Sequence, residues 1–248
     1  MTYSTIKNII QKIMHKSGYE VRRYFPANSP ATQIVSALKF ANADILFDIG
    51  ANEGQFAREI REHGYRGRIV SFEPLSSVRK RLLSYVSQDH SWEVHDQSAI
   101  GDRDGEIEIN ISSNSVSSSV LPMLELHSDA AKASAYIDSE TVPIVMLDTV
   151  AVRYLSQESK LFIKVDTQGF EWQVLDGADE TLRQTQGLLC ELSLVPLYDG
   201  QRLWRDIVDR LDAEGFMLWA LQSVFSDPKT GQILQMDGIF LRRDLINK

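Results

Sequence analysis

The stretch that decides the fold of this chain is Ile45-Leu46-Phe47-Asp48-Ile49-Gly50-Ala51-Asn52-Glu53-Gly54-Gln55-Phe56. It opens with a short apolar run, which is typical of a parallel strand that is covered on both faces. Gly50 and Gly54 then bracket a turn where the backbone can bend sharply and a ligand can come close. Residues 53–62 continue with helical spacing, since Phe56 and Ile60 fall on one face. The pattern predicts a strand, a glycine loop and a helix.

The spacing of the glycines separates two classes of nucleotide site. A dinucleotide-binding loop reads G-x-G-x-x-G, and its middle glycine lets a pyrophosphate approach. Here that position is Asn52, and the loop reads D-x-G-x-x-x-G from Asp48 to Gly54. An acid at the end of the strand suits a ligand with a cationic or amino group and no phosphate. This description favours S-adenosylmethionine (SAM) over NAD.

A second apolar strand supports the same interpretation. Residues 68–72 lead into Glu73 and Pro74, about 20 residues after the glycines, where an acid accepts hydrogen bonds from ribose hydroxyls. Any Rossmann-like domain would explain the first stretch alone. Asp48 alone could cap a helix, and Glu73 alone could be a solvated loop acid. Together the two stretches favour a SAM site.

With three later motifs, the chain resembles the FkbM family of SAM-dependent methyltransferases over about residues 43–242. These motifs are I-K-V-D-T-Q-G-F-E at residues 163–171, V-L-D-G-A at residues 174–178 and M-D-G-I-F at residues 236–240. The first two of them form a block that is much more specific than the glycine loop and the F-E-P at Glu73. One departure is Gln168, where the family more often has glutamate, and this departure weakens any charge-based role at that position.

The resemblance implies a Rossmann-like class I methyltransferase fold, which is an α/β domain with a mostly parallel seven-stranded sheet and an antiparallel C-terminal hairpin. We expect this domain over residues 43–248, after an N-terminal amphipathic helical extension and linker over residues 1–42. The expected cofactor is SAM. The residues expected to bind it are Asp48, Gly50, Ala51, Asn52, Gly54, Gln55, Phe56, Glu73, Pro74, Ser98, Ala99 and Asp166. Ser98 and Ala99 are included because their loop borders the adenine pocket in the implied fold.

Three polar residues on core strands are candidates for catalysis, namely Lys164, Asp166 and Glu191. Lys164 and Asp166 are two apart, so both project to one face near the end of a strand, where α/β sheets collect their ligands. Asp166 could hold the amino group of SAM, orient the acceptor, help bind a cation, or cap the helix that starts near Gly169. Burying Glu191 in its apolar run costs several kcal/mol unless it is paired or faces a polar site. It is therefore an acceptor contact, a general base, or an ion-pair partner of Lys164.

The function implied by the resemblance is O-methylation of a hydroxyl, most often on a sugar, glycan or glycosylated metabolite. The protein must align the acceptor oxygen with the methyl carbon and sulfur, and the hydroxyl proton must leave. A lysine could remove that proton only if burial lowered its pKa. No full set of oxygen ligands for Mg²⁺ can be named, so we expect no metal.

Two other functions stay open. A nicotinamide-dependent oxidoreductase of a nucleotide sugar would need a glycine at position 52 and a Tyr/Lys or Cys catalytic pair, and neither is evident. A non-catalytic SAM-fold scaffold would keep the fold with a spoiled cofactor site. The intact set at positions 48, 50, 54, 73 and 166 argues against the scaffold.

Composition limits the classes of binding partner and the cellular compartment that we expect. At 248 residues with 43% hydrophobic residues, the chain suits one large α/β domain with a sizeable core. The net charge of −8 argues against broad binding to nucleic acid. The one cysteine, Cys190, allows no disulfide framework. Neither a signal peptide nor a membrane-spanning apolar run is found. We therefore expect a cytoplasmic protein.

Residues 1–18 predict a basic amphipathic helix. One face carries Ile6, Ile9, Ile10, Ile13 and Met14, and the lysines at positions 7, 12 and 16 lie elsewhere. Such a helix could lie on an anionic membrane surface. More often it packs on its own domain or on a second subunit, so we expect a homodimer contact first. Pro26, Asn28, Ser29 and Pro30 then predict a linker.

Residues 112–140 are low in strand or helix pattern, and the residues on either side of them carry further expectations. Ile100 is expected to form a hairpin with residues 106–111. A serine cluster follows at residues 112–119, and it is either a polar acceptor contact or a mobile lid without specific contacts. A short helix over residues 123–135 would carry His127. Asp148 is expected to cap the helix that begins beside it.

Overall fold

The computed structural model describes residues 3–19, 21, 25 and 29–246. Two residues of the predicted linker, Pro26 and Asn28, lie outside this range. The helices are α1 (Tyr3–Lys16), α2 (Pro30–Phe40), α3 (Gln55–Glu62), α4 (Ser76–Val86), α5 (Glu125–Ala130), α6 (Leu147–Ala151), α7 (Glu171–Asp176), α8 (Asp179–Gln184), α9 (Trp204–Ala213) and α10 (Arg243–Ile246). The strands are β1 (Ile45–Ile49), β2 (Arg68–Phe72), β3 (Trp92–Val94), β4 (Ala99–Gly101), β5 (Gly105–Ser112), β6 (Tyr136–Met146), β7 (Leu161–Val165), β8 (Thr185–Ser193), β9 (Phe216–Ser226) and β10 (Ile233–Arg242).

The main sheet has seven strands in the order β3-β2-β1-β7-β8-β10-β9. The first five run parallel, and β10 pairs antiparallel with both β8 and β9. The predicted Rossmann-like class I methyltransferase fold, with its antiparallel C-terminal hairpin, is confirmed. Strand order reverses between β1 and β7, and ligands of such sheets bind in the crevice at this switch point.

The central parallel strands are buried on both faces. Every residue of β1 and β7 is buried. On one face Phe47 packs in a cluster with Ile163 and Leu188, and on the other Leu46 packs in a cluster with Phe162. Helices cover both faces, which is why these strands carry continuous apolar runs.

α2 also belongs to this core. Ile34, Val35 and Leu38 are buried in the cluster that contains Ile60 of α3 and Leu241 of β10. The segment predicted to precede the domain therefore includes one helix that packs into the sheet. The domain boundary itself stays a prediction.

A second sheet, in the order β4-β6-β5, lies beside the main one. The predicted hairpin of Ile100 with residues 106–111 is wrong, because β6 runs between the two strands, parallel to β4 and antiparallel to β5. β6 places the buried residues Val142 and Ile144 in one cluster with Phe170. β6 is distant in sequence from β4 and β5, but burying its apolar residues favours its place between them over direct pairing of β4 with β5.

The structure also differs from two local predictions. The helix predicted over residues 123–135 is the shorter α5, followed by a 3-10 turn at Lys132–Ser134. Asp148 does not cap α6. Its carboxylate accepts backbone N–H bonds from Glu180 at 3.0 Å and Thr181 at 2.7 Å, at the start of α8. Asp148 thus joins α6 to the start of α8.

Candidate active site

A cavity of about 330 Å³ opens at the carboxyl ends of β1, β2 and β7. This is the size range of small-molecule sites, and it lies at the switch point of the sheet. Of the predicted site residues, those lining the cavity are Gly50, Ala51, Asn52, Gln55, Phe56, Glu73, Pro74, Ser98, Ala99, Lys164 and Asp166. Asp48, Gly54 and Glu191 do not line it. Sequence reasoning missed several apolar lining residues, among them Leu75, Ile109 and Phe170.

The glycines of the first loop are required by contacts within the protein. Gly50 has φ +74, and a Cβ built there would lie 1.9 Å from the carbonyl oxygen of Asp166. Gly54 has φ +79, and its Cβ would lie 2.7–2.8 Å from the side chains of Trp92 and Leu82. The predicted sharp bend is therefore correct. At Gly50 the loop after β1 therefore packs directly on the loop after β7, and at Gly54 it packs on side chains of β3 and α4.

Glu73 lies at the end of β2 and is only 5% exposed. Its Oε2 accepts the Asn52 N–H at 2.9 Å, and its Oε1 accepts the Leu75 N–H at 2.8 Å. Burial raises the pKa of Glu73 to about 7, although these two bonds favour the charged form. Each oxygen keeps a lone pair that can accept one more hydrogen bond. Glu73 is therefore a fixed acceptor in the wall of the cavity.

Lys164 connects the two central strands under the cavity. Its Nζ donates to the Gly50 carbonyl at 2.8 Å and lies 3.3 Å from Asp48 Oδ1 and 3.5 Å from Asp166 Oδ2. Burial disfavours the ammonium, but the carboxylates of Asp166 and Asp48 outweigh burial and hold the pKa of Lys164 above its usual range. Lys164 is therefore protonated at neutral pH. Asp48 is fully buried beside it, behind the cavity, so its predicted contact with a cofactor stays a prediction.

Gln168 joins the two acidic candidates. Its Nε2 donates to Asp166 Oδ1 at 2.8 Å and to the Glu191 carboxylate at 3.1–3.2 Å, while its Oε1 accepts the Tyr198 hydroxyl at 2.8 Å. The backbone of Gln168 is in the left-handed region, with φ +55. A primary amide suits this place because it can donate to two carboxylates and accept from a phenol at once.

Glu191 differs from Asp166 in its surroundings. Glu191 is 8% exposed, whereas the Asp166 side chain is 36% exposed and lines the cavity. Burial, reinforced by the carboxylates of Asp166 and Glu171, raises the pKa of Glu191 well above its usual range. Among the described residues, the ion pairs of Lys164 are with Asp48 and Asp166, so the alternative in which Glu191 pairs with Lys164 does not hold.

Asp166, Gln168 and Glu191 form a polar group, and strand register adds residues of β10 and β9 to it. Glu191 of β8 lies opposite Asp237 of β10, and Asp237 lies opposite Gln222 of β9. Directly opposite residues share a face of a sheet. Burial, with the nearby Asp166 carboxylate, raises the pKa of Asp237 to about 7. Sequence reasoning missed Asp237 and Gln222 as members of this group, although an acid within the apolar M-D-G-I-F run was a visible signal.

The turn before α7 is capped by Glu171 and not by Asp166. The Glu171 carboxylate accepts the Thr167 N–H at 2.8 Å and the Gly169 N–H at 3.1–3.2 Å. Burial raises the pKa of Glu171 to about 7. Asp166 is thus released from a capping role, and its carboxylate remains available at the cavity.

The serine-rich segment, residues 112–120, forms the roof of the cavity. Ser115, Ser118 and Ser119 are among its lining residues. The Ser119 hydroxyl donates to the Gln168 carbonyl at 2.6 Å, Asn52 Nδ2 donates to Ser115 Oγ at 3.4 Å, and Ser118 Oγ accepts the Ser112 N–H at 3.0 Å. Specific contacts therefore hold the segment, and a lid without them is excluded. A contact of its hydroxyls with an acceptor stays a prediction.

His127 takes no part in the cavity. It is buried and packs between Tyr198 and Phe225, with ring centroids 5.1 Å and 5.3 Å away. Burial lowers the pKa of His127 to about 4, so it is neutral at physiological pH. Within the described part of the chain, no three His, Cys, Asp or Glu side chains form a metal-binding group. The expectation that the reaction uses no metal stays a prediction.

Sequence comparisons find a family and a relative that this chain resembles. The family model of the methyltransferase FkbM domain matches residues 48–218. A protein of Sinorhizobium fredii named 2-O-methyltransferase NoeI is 28% identical over 187 residues, which cover 72% of this chain and 75% of that protein.

Solved structures show more distant likeness. Methyltransferase FkbM from Methylobacillus flagellatus is 13% identical with a TM-score of 0.49, and the match covers 92% of this chain but only 50% of that one. The magnesium protoporphyrin IX methyltransferase of Synechocystis, solved with bound SAM, is 9% identical with a TM-score of 0.47 and covers 95% of this chain and 96% of that one. The family match extends over more than half of the sequence, from β1 into β9, and the chain therefore belongs to the FkbM methyltransferase family.

Proposed function

We propose that this protein is a SAM-dependent O-methyltransferase that modifies a hydroxyl of a sugar, glycan or glycosylated metabolite. The observation that carries the proposal is the cavity at the switch point, which has Glu73 in one wall and Asp166 in another. The relative named 2-O-methyltransferase supports oxygen as the acceptor atom. The single cysteine, which is buried, supports a cytoplasmic location.

The residues present fit SAM. Glu73 offers spare lone pairs to ribose hydroxyls. Leu75, Ala99 and Phe170 line the cavity and suit an adenine ring, which stacks on apolar surfaces. Asn52, at φ +47, replaces the glycine that a pyrophosphate would need. The same substitution disfavours the nicotinamide-dependent alternative.

When bound, SAM supplies an electrophilic methyl group on a positively charged sulfur. Asp166 is the residue we assign as proton acceptor for the hydroxyl, because its carboxylate is exposed at the cavity while Glu191 is covered. Lys164 stays protonated and orients Asp166 from 3.5 Å. Gln168 fixes the other Asp166 oxygen at 2.8 Å. Asp166 is therefore held from both sides, and alignment of this kind is a large part of catalysis.

Calorimetric titration with SAM, S-adenosylhomocysteine and NAD⁺ tests the cofactor. We expect both adenosyl ligands to bind and NAD⁺ not to bind. Glu73→Gln should weaken adenosyl binding roughly 10- to 100-fold, the range for losing hydrogen bonds to a charged acceptor. Glu106→Gln, at an exposed position on β5, is the matched control and should bind as the wild type does.

The other outcomes would contradict the proposal in different ways. Binding of NAD⁺ alone would replace it with the oxidoreductase. Absence of binding to all three ligands would favour the non-catalytic scaffold. With SAM bound, Asp166→Asn should lower the rate of methyl transfer to sugar acceptors while the affinity for S-adenosylhomocysteine changes little.

A further inference from the structure

α1 exposes an apolar stripe that no other part of the described structure covers. Ile6, Ile9, Ile10 and Ile13 are 47%, 43%, 48% and 59% exposed. Single apolar side chains are common on protein surfaces, but a contiguous patch marks an interaction site. α2 differs in this respect, since its apolar residues are buried in the core. Among the described residues, the stripe on α1 is thus left without a partner.

Lysines border the stripe on both sides. At 100° per residue, Lys7 lies on one flank and Lys12 and Lys16 lie on the other, about 70–110° from the centre of the stripe. α1 contains no Asp or Glu. Lysine stems at such positions can lie along an apolar surface while their ammonium groups reach anions above it. The partner should therefore present an apolar layer beneath an anionic one.

Charge is divided unevenly along the chain. Residues 1–23 contain five Lys or Arg and one Glu, a net charge of +4, and since the whole chain has a net charge of −8, residues 24–248 have a net charge of −12. A basic segment on an acidic protein directs that segment, and not the domain, towards an anionic surface.

We propose that α1 docks the protein on an anionic lipid surface, lying in the plane of the membrane with its isoleucines in the acyl boundary. A helix of this type buries its apolar face about 5–10 Å into the headgroup region. Within the described ranges, none of the helices combines the length and the apolar character that a membrane span requires.

A second copy of the chain is a poorer occupant. Two α1 helices paired about a twofold axis present the same surface to each other. Their flanking lysines would meet, and α1 has no acid to neutralise them. The helix has 14 residues, or about 21 Å, which offers few turns for a self-standing helix pair.

Vesicle co-sedimentation of the full chain tests the proposal. Vesicles of phosphatidylcholine alone are compared with vesicles that contain phosphatidylserine, at about 0.1 M salt. We expect binding to the anionic vesicles only, weakened at high salt. Each lysine near such a surface strengthens binding about fivefold, so Lys7→Gln, Lys12→Gln and Lys16→Gln together should weaken it about 100-fold.

A matched control removes the same charge elsewhere. Lys39→Gln, Lys132→Gln and Lys229→Gln together change three exposed lysines outside α1 and should leave vesicle binding within about twofold. Ile10→Ser with Ile13→Ser should abolish binding while the net charge is unchanged. Both positions are exposed, so the thermal unfolding midpoint should not move, and this measurement confirms that the variants are folded.

Three results would overturn the proposal. Equal binding to neutral and anionic vesicles would show that the lysines do not contribute to binding. An equal effect of the control variant would attribute binding to net charge alone. No vesicle binding, together with a change from dimer to monomer in light scattering for the isoleucine variant, would assign the stripe to a second copy.

Discussion

Gly50→Ala should destabilise the protein far more than its backbone conformation alone would explain. At φ +74, a non-glycine residue costs about 1–2 kcal/mol. The added Cβ would also lie 1.9 Å from the Asp166 carbonyl oxygen, a backbone atom that cannot rotate away. Overpacking adds about 1–3 kcal/mol, so the total loss in unfolding free energy should be about 4 kcal/mol.

Gly200→Ala separates the two contributions. Gly200 has φ +73, nearly the same as Gly50, but a Cβ there has nothing within 4 Å. It should cost only the conformational part, about 1.5 kcal/mol. For a chain of this size, the midpoints should fall by roughly 12 °C for Gly50→Ala and roughly 5 °C for Gly200→Ala. Urea unfolding followed by circular dichroism measures the two losses in free energy, and thermal melting measures the two midpoints. Equal losses would refute the claim that the two loops are in contact.

Two further predictions concern charge. The pKa of Asp237 is raised by burial from 3.8 in the unfolded chain to about 7, so its stabilising effect is present below pH 4 and is lost as pH rises to 7. Asp237→Asn should therefore reduce the fall in melting temperature of the ligand-free protein across that range, and an unchanged slope would contradict this. Arg61 donates to Asp89 at 2.7 Å and to the carbonyls of Tyr65, Gly67 and Ser91. A lysine lacks this planar fork, so Arg61→Lys should cost about 2 kcal/mol in urea unfolding, whereas Arg183→Lys, at an exposed pair, should cost nearly nothing.

Local patterns were sufficient to predict the central part of the fold. The apolar run of β1, the glycine loop and Glu73 each carry their signal within a few neighbouring residues. The same holds for the projection of Lys164 and Asp166 to one face, which follows from the period of a strand. The strand, the loop and the place of Glu73 at the end of β2 agree with these local signals, whereas the binding and catalytic roles of Glu73, Lys164 and Asp166 stay predictions.

Features that depend on distant partners could not be predicted in the same way. The pairing of β6 between β4 and β5 is decided by burial against Phe170, which is remote in sequence. Asp148 caps α8 because the fold brings Glu180 and Thr181 to it. The group containing Asp237 and Gln222 is set by strand register, which residue patterns do not specify across a long connection.

The roof of the cavity has a kinetic consequence. Beneath the cavity, β1 and β7 are each paired with a strand on both sides, so their amides exchange with solvent only when the sheet opens. The contacts that join the roof to the loops after these strands include Ser119 to the Gln168 carbonyl and Asn52 to Ser115. They can break without parting any strands of the main sheet. Ligand exchange can therefore proceed on the timescale of a loop, and amide exchange in residues 112–120 should slow when a ligand binds while that of β1 and β7 is unchanged.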